Sequence, residues 1–187
     1  MGLELALPPM VGRREGTSDA RFRSMVEAHV DTIWRSLRRL GVPAAAADDG
    51  VQQVFLVASR RLGEIDEGGE RRYLLGIALR VASEIRRSIH RRREVPIEGL
   101  AVEPCPVRDT QDAPEEALDN RRALALLATW LDEMPDKLRE AFVLFELEEL
   151  SAADVARVLR VPVGTVASRV RRAREHVRKR LAEGGAP

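Results

Sequence analysis

The sequence predicts an all-α protein: two small helical domains joined by a flexible acidic linker, the second containing a helix-turn-helix. Two observations carry this. Apolar residues recur at spacings of three and four through most of the chain, and no segment shows the strict alternation of a half-buried strand. Between Pro96 and Asn120 that periodicity stops, with breakers at Gly99, Pro104 and Pro106, seven acidic residues and one arginine.

The first stripe is Phe22, Met25, Val26, His29, Val30, Ile33, Trp34, Leu37 and Leu40, ended by Gly41 and Pro43. A second helix is expected to start near Asp48, whose carboxylate suits a helix N-terminus, and to turn Val51, Val54, Phe55, Ala58 and Leu62 inward, with Gly63 as its cap. A polar loop, 64–69, precedes a third stripe of Tyr73, Leu74, Ile77, Ala78, Val81, Ala82, Ile85 and Ile89, which must end before Pro96. Helices resume near Glu115 with Leu118, Ala123, Leu124, Leu127 and Leu131. After Pro135 the stripe continues through Leu138, Ala141, Phe142 and Phe145. The expected organisation is a disordered extension 1–18, a helical domain 19–95, a linker 96–114, a second domain 115–182 and a tail 183–187.

Ser151-Ala152-Ala153-Asp154 is a capping-box variant opening a short helix with Val155, Ala156 and Leu159 inward. Arg160-Val161-Pro162 forms a three-residue turn and a further helix begins near Val163, the helix-turn-helix arrangement. On that helix Val166, Val170, Ala173, Val177 and Leu181 share one arc. Ser168, Arg171, Arg172, Glu175 and Lys179 lie opposite, with Thr165 and Arg169 at the margin. Arginine bonds guanine O6 and N7 bidentately, and hydroxyls reach bases or phosphates. A charge run alone is only a solvated face. Cap, turn and clustered cations together favour DNA.

Composition excludes other classes. The 187 residues carry 31 basic and 30 acidic side chains, and 29 of the basic ones are arginine. The net charge of +1 is a cancellation: +4 over 19–95, −6 over 96–120, −3 over 121–150 and +6 over 151–187. No apolar run approaches the roughly 20 residues of a membrane span. One cysteine, Cys105, permits no intramolecular disulfide, and Arg13 and Arg14 follow rather than precede the mildly apolar N-terminus, so a cytoplasmic protein is expected. His29, His90 and His176 have no metal spacing. His29 is expected at the core edge and the other two in solvent. No catalytic residues, metal or cofactor are expected.

Met134-Pro135, Arg139-Glu140-Ala141-Phe142, Leu150-Ser151, Asp154-Val155-Ala156 and the run Val161 to Arg174 closely resemble region 4 of bacterial sigma factors of the extracytoplasmic-function subfamily. Asp48-Asp49-Gly50-Val51-Gln52-Gln53-Val54-Phe55 resembles the acidic helix of region 2, and Tyr73 to Arg87 its promoter-facing helix. The resemblance covers about residues 22–181. It implies a subunit that binds core RNA polymerase and promoter DNA, region 2 melting and reading the minus-ten element and region 4 the minus-thirty-five element, with an anti-sigma factor as a further partner. It places Thr165, Ser168, Arg169, Arg171 and Arg172 on the minus-thirty-five element. Tyr73, Arg80, Glu84 and Arg87, with the loop 63–71, fall to the minus-ten strand, and Asp49, Gln52 and Gln53 to polymerase. Tyr73 also reads as a core residue, and the three α-helical polar residues also read as a cap and solvated amides. The chain departs from the family's usual Asn at Arg80, Asp at Glu84, Trp at Tyr73, an apolar residue at Gly50 and a basic one at Ala167. The acidic linker either mimics RNA phosphate in an exit path or is a spacer. The alternative reading is an autonomous helix-turn-helix regulator, which gives the Asp48 to Phe55 pattern no purpose.

Overall fold

The computed structural model describes residues 13–93 and 115–184, and among them every regular element is helical. The helices are α1 (Arg13–Arg39), α2 (Ala44–Ser59), α3 (Glu70–Arg93), α4 (Glu115–Glu133), α5 (Asp136–Phe142), α6 (Ala152–Leu159) and α7 (Val163–Gly184). A 3-10 turn, Leu62–Glu64, follows α2, and a π-helical turn, Val143–Leu147, continues α5. The expected all-α class is the observed one. The linker with Cys105, residues 1–12 and the end of the tail lie outside the described residues.

α1, α2 and α3 pack mutually around Ile33, Leu37, Leu40, Val54, Leu74, Leu75 and Ala78, all fully buried. Gly50, where the resembled family carries an apolar side chain, is a point of close approach. A Cβ there would stand 3.0 Å from Leu37 Cδ1 and 3.3 Å from Ile85 Cδ1, so the missing side chain lets α1 and α3 close over α2. α1 ends as expected: Gly41 adopts φ +85°, the left-handed conformation that ends a helix most cheaply at glycine.

Three expectations are corrected. α2 starts at Ala44, after Pro43, and Asp48 lies inside it, where its carboxylate accepts the Trp34 indole N–H at 3.0 Å instead of capping. Gly63 sits within the 3-10 turn, and α2 ends at Ser59 with Arg60 in a right-handed conformation. α1 begins at Arg13, so the first helix reaches into the segment expected to be a disordered extension.

In the C-terminal half, α5, the π turn and α6 pack on α7 around Val143, Leu144, Val155, Val166 and Ala173. Pro135 is the N-cap of α5, its carbonyl accepting from the amides of Leu138 and Arg139 at 2.9 and 3.0 Å. The halves touch where α6 lies against α3 and where the buried Arg139 of α5 meets the end of α1. Arg86 of α3 joins that corner. It donates to Leu40 O and pairs with Asp136 and Glu140, each at 3.3 Å. Burial raises the Glu140 carboxyl above its ordinary range, opposed by the adjacent Arg86.

Candidate nucleic-acid interface

The helix-turn-helix is built from local bonds. Ser151 takes an extended conformation at the N-cap of α6, its hydroxyl accepting from the Asp154 amide at 3.1 Å and donating to Asp154 Oδ2 at 2.7 Å. The Asp154 carboxyl lies below its ordinary pKa, first because of that Ser151 hydrogen bond and then through Arg72 and Arg157. At the other end Arg160 adopts φ 54°, ψ 47°, and the Val161 amide reaches back to Ala156 O at 3.0 Å, the closing bond of a Schellman turn. Pro162 O then accepts from Thr165 and Val166, launching α7.

α7 divides as its sequence predicts through most of its length. Val166, Val170 and Ala173 are buried and Val177 packs at the core edge. Leu181, expected on the same inward arc, is 52% exposed, because the elements packed on α7 no longer cover it there. On the outer face Ser168, Arg171 and Arg172 are exposed, while Thr165 and Arg169 are half-buried at the margin. The Ser168 hydroxyl donates to Thr165 O at 2.9 Å, and Arg171 pairs with Glu175 at 2.7 Å. Arg174 turns aside to Glu146 of the π turn, also at 2.7 Å. The result is a cationic ridge whose inner side packs on α5 and α6.

Two further surfaces lie on the first domain. On α3, Arg80, Glu84 and Arg87 are exposed along one stripe, and Tyr73 is half-buried, with part of its side chain against the core. Glu70, in the first turn of α3, is held below its ordinary pKa by its helix-start amide and by Arg21. On α2, Asp49, Gln52 and Gln53 are exposed as one stripe. The structure adds Leu56 and Val57, 54% and 37% exposed beside them. Their signal in the sequence was that they fall outside α2's buried set, Val51, Val54, Phe55 and Ala58.

Of the histidines, His29 is half-buried, its pKa lowered by burial, and His90 is exposed. His176 departs from expectation: it is half-buried with Nε2 out of solvent and without a hydrogen bond. Among the described residues no three His, Cys, Asp or Glu side chains gather as metal ligands, and no helix is long and apolar enough to cross a membrane.

A family model for sigma-70 region 4 matches residues 124–177, from the second half of α4 through most of α7. The chain is 29% identical over 159 residues to the ECF RNA polymerase sigma factor SigE of Mycolicibacterium smegmatis, which spans 85% of this chain and 61% of that protein. To the ECF RNA polymerase sigma factor SigC of Mycobacterium tuberculosis it is 31% identical over 165 residues, 82% of this chain and 80% of that one. In fold it is similar to the sigma factor RpoE of Bartonella quintana, solved with the anti-sigma factor NepR, at a TM-score of 0.70 and 18% identity over 87% of this chain and 97% of that one. With identity of this order running through both halves of the molecule, the chain belongs to the extracytoplasmic-function family of RNA polymerase sigma factors.

Proposed function

We propose that the protein binds core RNA polymerase and directs it to promoters, α7 reading the minus-thirty-five element and α3 the minus-ten element. The observation that carries this reading is the pairing of two exposed cationic stripes, Arg171 with Arg172 on α7 and Arg80 with Arg87 on α3, on separate halves of a sigma-family chain. Thr165, Ser168, Arg169, Arg171 and Arg172 face the major groove. Arg80, Glu84 and Arg87, with the turn at Arg71 and Tyr73, face the unpaired strand, where a cationic track and an aromatic surface suit unstacked bases. The α2 stripe of Asp49, Gln52 and Gln53, extended by Leu56 and Val57, docks polymerase. Its apolar centre with a polar rim has the make-up of a protein interface.

An autonomous helix-turn-helix regulator needs no such α2 surface, and the similarity to sigma factors extends well beyond region 4. The protein works in the cytoplasm as a binding subunit and catalyses nothing itself. The similarly folded RpoE was solved with an anti-sigma factor, and a partner of that kind is proposed here. Run-off transcription on a genomic fragment library, with core polymerase and the full chain, tests the reading. Discrete start sites that vanish when the chain is omitted are expected. A chain that never binds core polymerase overturns it.

A further inference from the structure

α1 and α2 run antiparallel. Phe22 of α1 meets Phe55 of α2 edge to face, with ring centroids 6.4 Å apart, and Trp34 meets Asp48 nearer the other end. The start of α1 therefore lies at the end of α2 that carries Leu56 and Val57. Leu56 is the centre of the outward face there, with Gln52 and Arg60 one turn to either side and Gln53 three positions before it, all exposed. Arg60 keeps a helical backbone at the C-cap, and among the described residues no carboxylate pairs with it. The face is thus an apolar patch edged by two amides and one unpaired cation.

The 12 residues that precede α1 have the complementary make-up: Leu3, Leu5, Leu7, Met10 and Val11 are apolar, and Glu4 is the only charged side chain. They join a helix that buries little at its start. Ser18, Asp19 and Ala20 are exposed, and the core of the domain begins at the level of Phe22 and Met25. Among the described residues, Leu56 and Val57 are the two large apolar side chains exposed on the N-terminal domain. They are also within reach. α1 extends nine residues before Phe22, about 14 Å. Twelve residues span up to about 40 Å, so about four bring the chain back to that level and the rest can lay Leu7, Leu5 and Leu3 across to Leu56. Gly12, directly before α1, can take the backbone conformation such a reversal requires.

We propose that the N-terminal segment folds back onto this face of α2 in the free chain, its leucines covering Leu56 and Val57 and Glu4 meeting Arg60, so that polymerase must displace it to dock. This rests on the reading of α2 as the polymerase face. Gln52 and Gln53 supply donors and acceptors for the segment's backbone, as they would for a polymerase surface. The contact is suited to displacement. Burying a few leucines little more than offsets the entropy of ordering the segment's backbone, so each contact is weak. The tether compensates, because a short link holds the segment at an effective concentration on the order of 1 mM. A weak contact is then populated in the free chain and still yields to a larger surface that covers the whole face.

Methyl NMR of the full free chain, labelled on leucine and valine, reads the contact. Leu5→Asp with Leu7→Asp is expected to shift the Leu56 and Val57 methyl resonances and to leave those of Leu124 and Leu126, exposed on α4, in place. Unmoved Leu56 and Val57 resonances overturn the proposal. So does a wild-type Leu56 resonance that moves with protein concentration, because the occupant is then a second copy of the chain. Binding to core polymerase reads the competition. The double variant is expected to bind at least threefold more tightly than wild type, and Leu56→Asp at least tenfold more weakly. If Leu56→Asp binds weakly but the double variant matches wild type, the segment does not compete and the proposal is overturned. If Leu56→Asp itself binds like wild type, the polymerase reading of α2 falls, and the competition falls with it.

Discussion

The guanidinium of Arg139 lies directly on the backbone of Gly41: a Cβ added there would clash with Arg139 Nη1. Arg139 is held in place by Met134 O at 3.2 Å and Asp136 at 3.0 Å, and Gly41 already has φ +85°. Gly41→Ala therefore both strains the backbone and displaces a buried cation. We expect it to cost about 2 kcal/mol or more in urea unfolding, combining roughly 1–2 kcal/mol for the left-handed residue with the broken contacts. Gly63→Ala, with nothing within 4 Å of the added carbon, is expected to stay within about 0.5 kcal/mol of wild type. Equal effects at the two glycines would contradict this.

Arg160 sits at φ 54° in the turn between α6 and α7, a conformation glycine takes without strain. Its side chain is exposed. Arg160→Gly is expected to stabilise the protein by about 0.5–1 kcal/mol, the relief being partly offset by the looser unfolded chain. That corresponds to a rise of roughly 1–4 °C in the melting temperature. A fall would show that the arginine side chain contributes more than its backbone strain removes.

What could be seen in the sequence was what local chemistry decides. Val166, Val170 and Ala173 announce a buried face by spacing alone, and Ser151 with Asp154 announces a cap because both partners lie within one turn. Long-range partners were invisible. Asp48 resembles a helix start until Trp34 on another helix claims its carboxylate. Glu148 looks like one acid among several, since its three partners are 77 to 112 residues away. Arg160 carries no glycine signal for its left-handed turn. On the candidate surfaces the polar stripes of α2 and α7 were legible as periodic faces. Leu56 and Val57 were legible only as apolar residues outside the predicted inward stripe of α2, and the structure shows them exposed beside the polar one.

The cap of α6 makes a prediction about acid. The Asp154 carboxyl is held below its ordinary pKa, chiefly by the Ser151 hydroxyl. A depressed carboxylate contributes stability that is fully present above its unfolded value, about 3.9, and lost as pH falls through the lower folded value. Asp154→Asn is thus expected to lower the melting temperature at pH 7, with the gap to wild type closing below about pH 4. Ser151→Ala, which removes the cap, is expected to cost about 1 kcal/mol at pH 7. A gap that persists unchanged into acid would assign the effect of Asp154 to packing instead of charge.

If α7 reads DNA as proposed, Glu175 competes with the DNA for Arg171. The pair is 2.7 Å long and joins adjacent turns of α7, but both side chains are more than half exposed, so it contributes little to stability. A phosphate or base approaching Arg171 must displace that carboxylate and meet its charge. Glu175→Ala is therefore expected to tighten promoter binding by the holoenzyme several-fold at low salt, the gain shrinking as salt screens the repulsion. Arg172, exposed on the same face, is expected to lose about 1–3 kcal/mol of promoter affinity on replacement by Ala if it bonds a base edge. Filter binding across a salt series separates the two effects. If Glu175→Ala weakens binding, and does so for only some sequences, Glu175 is itself a base contact, accepting from a cytosine amine.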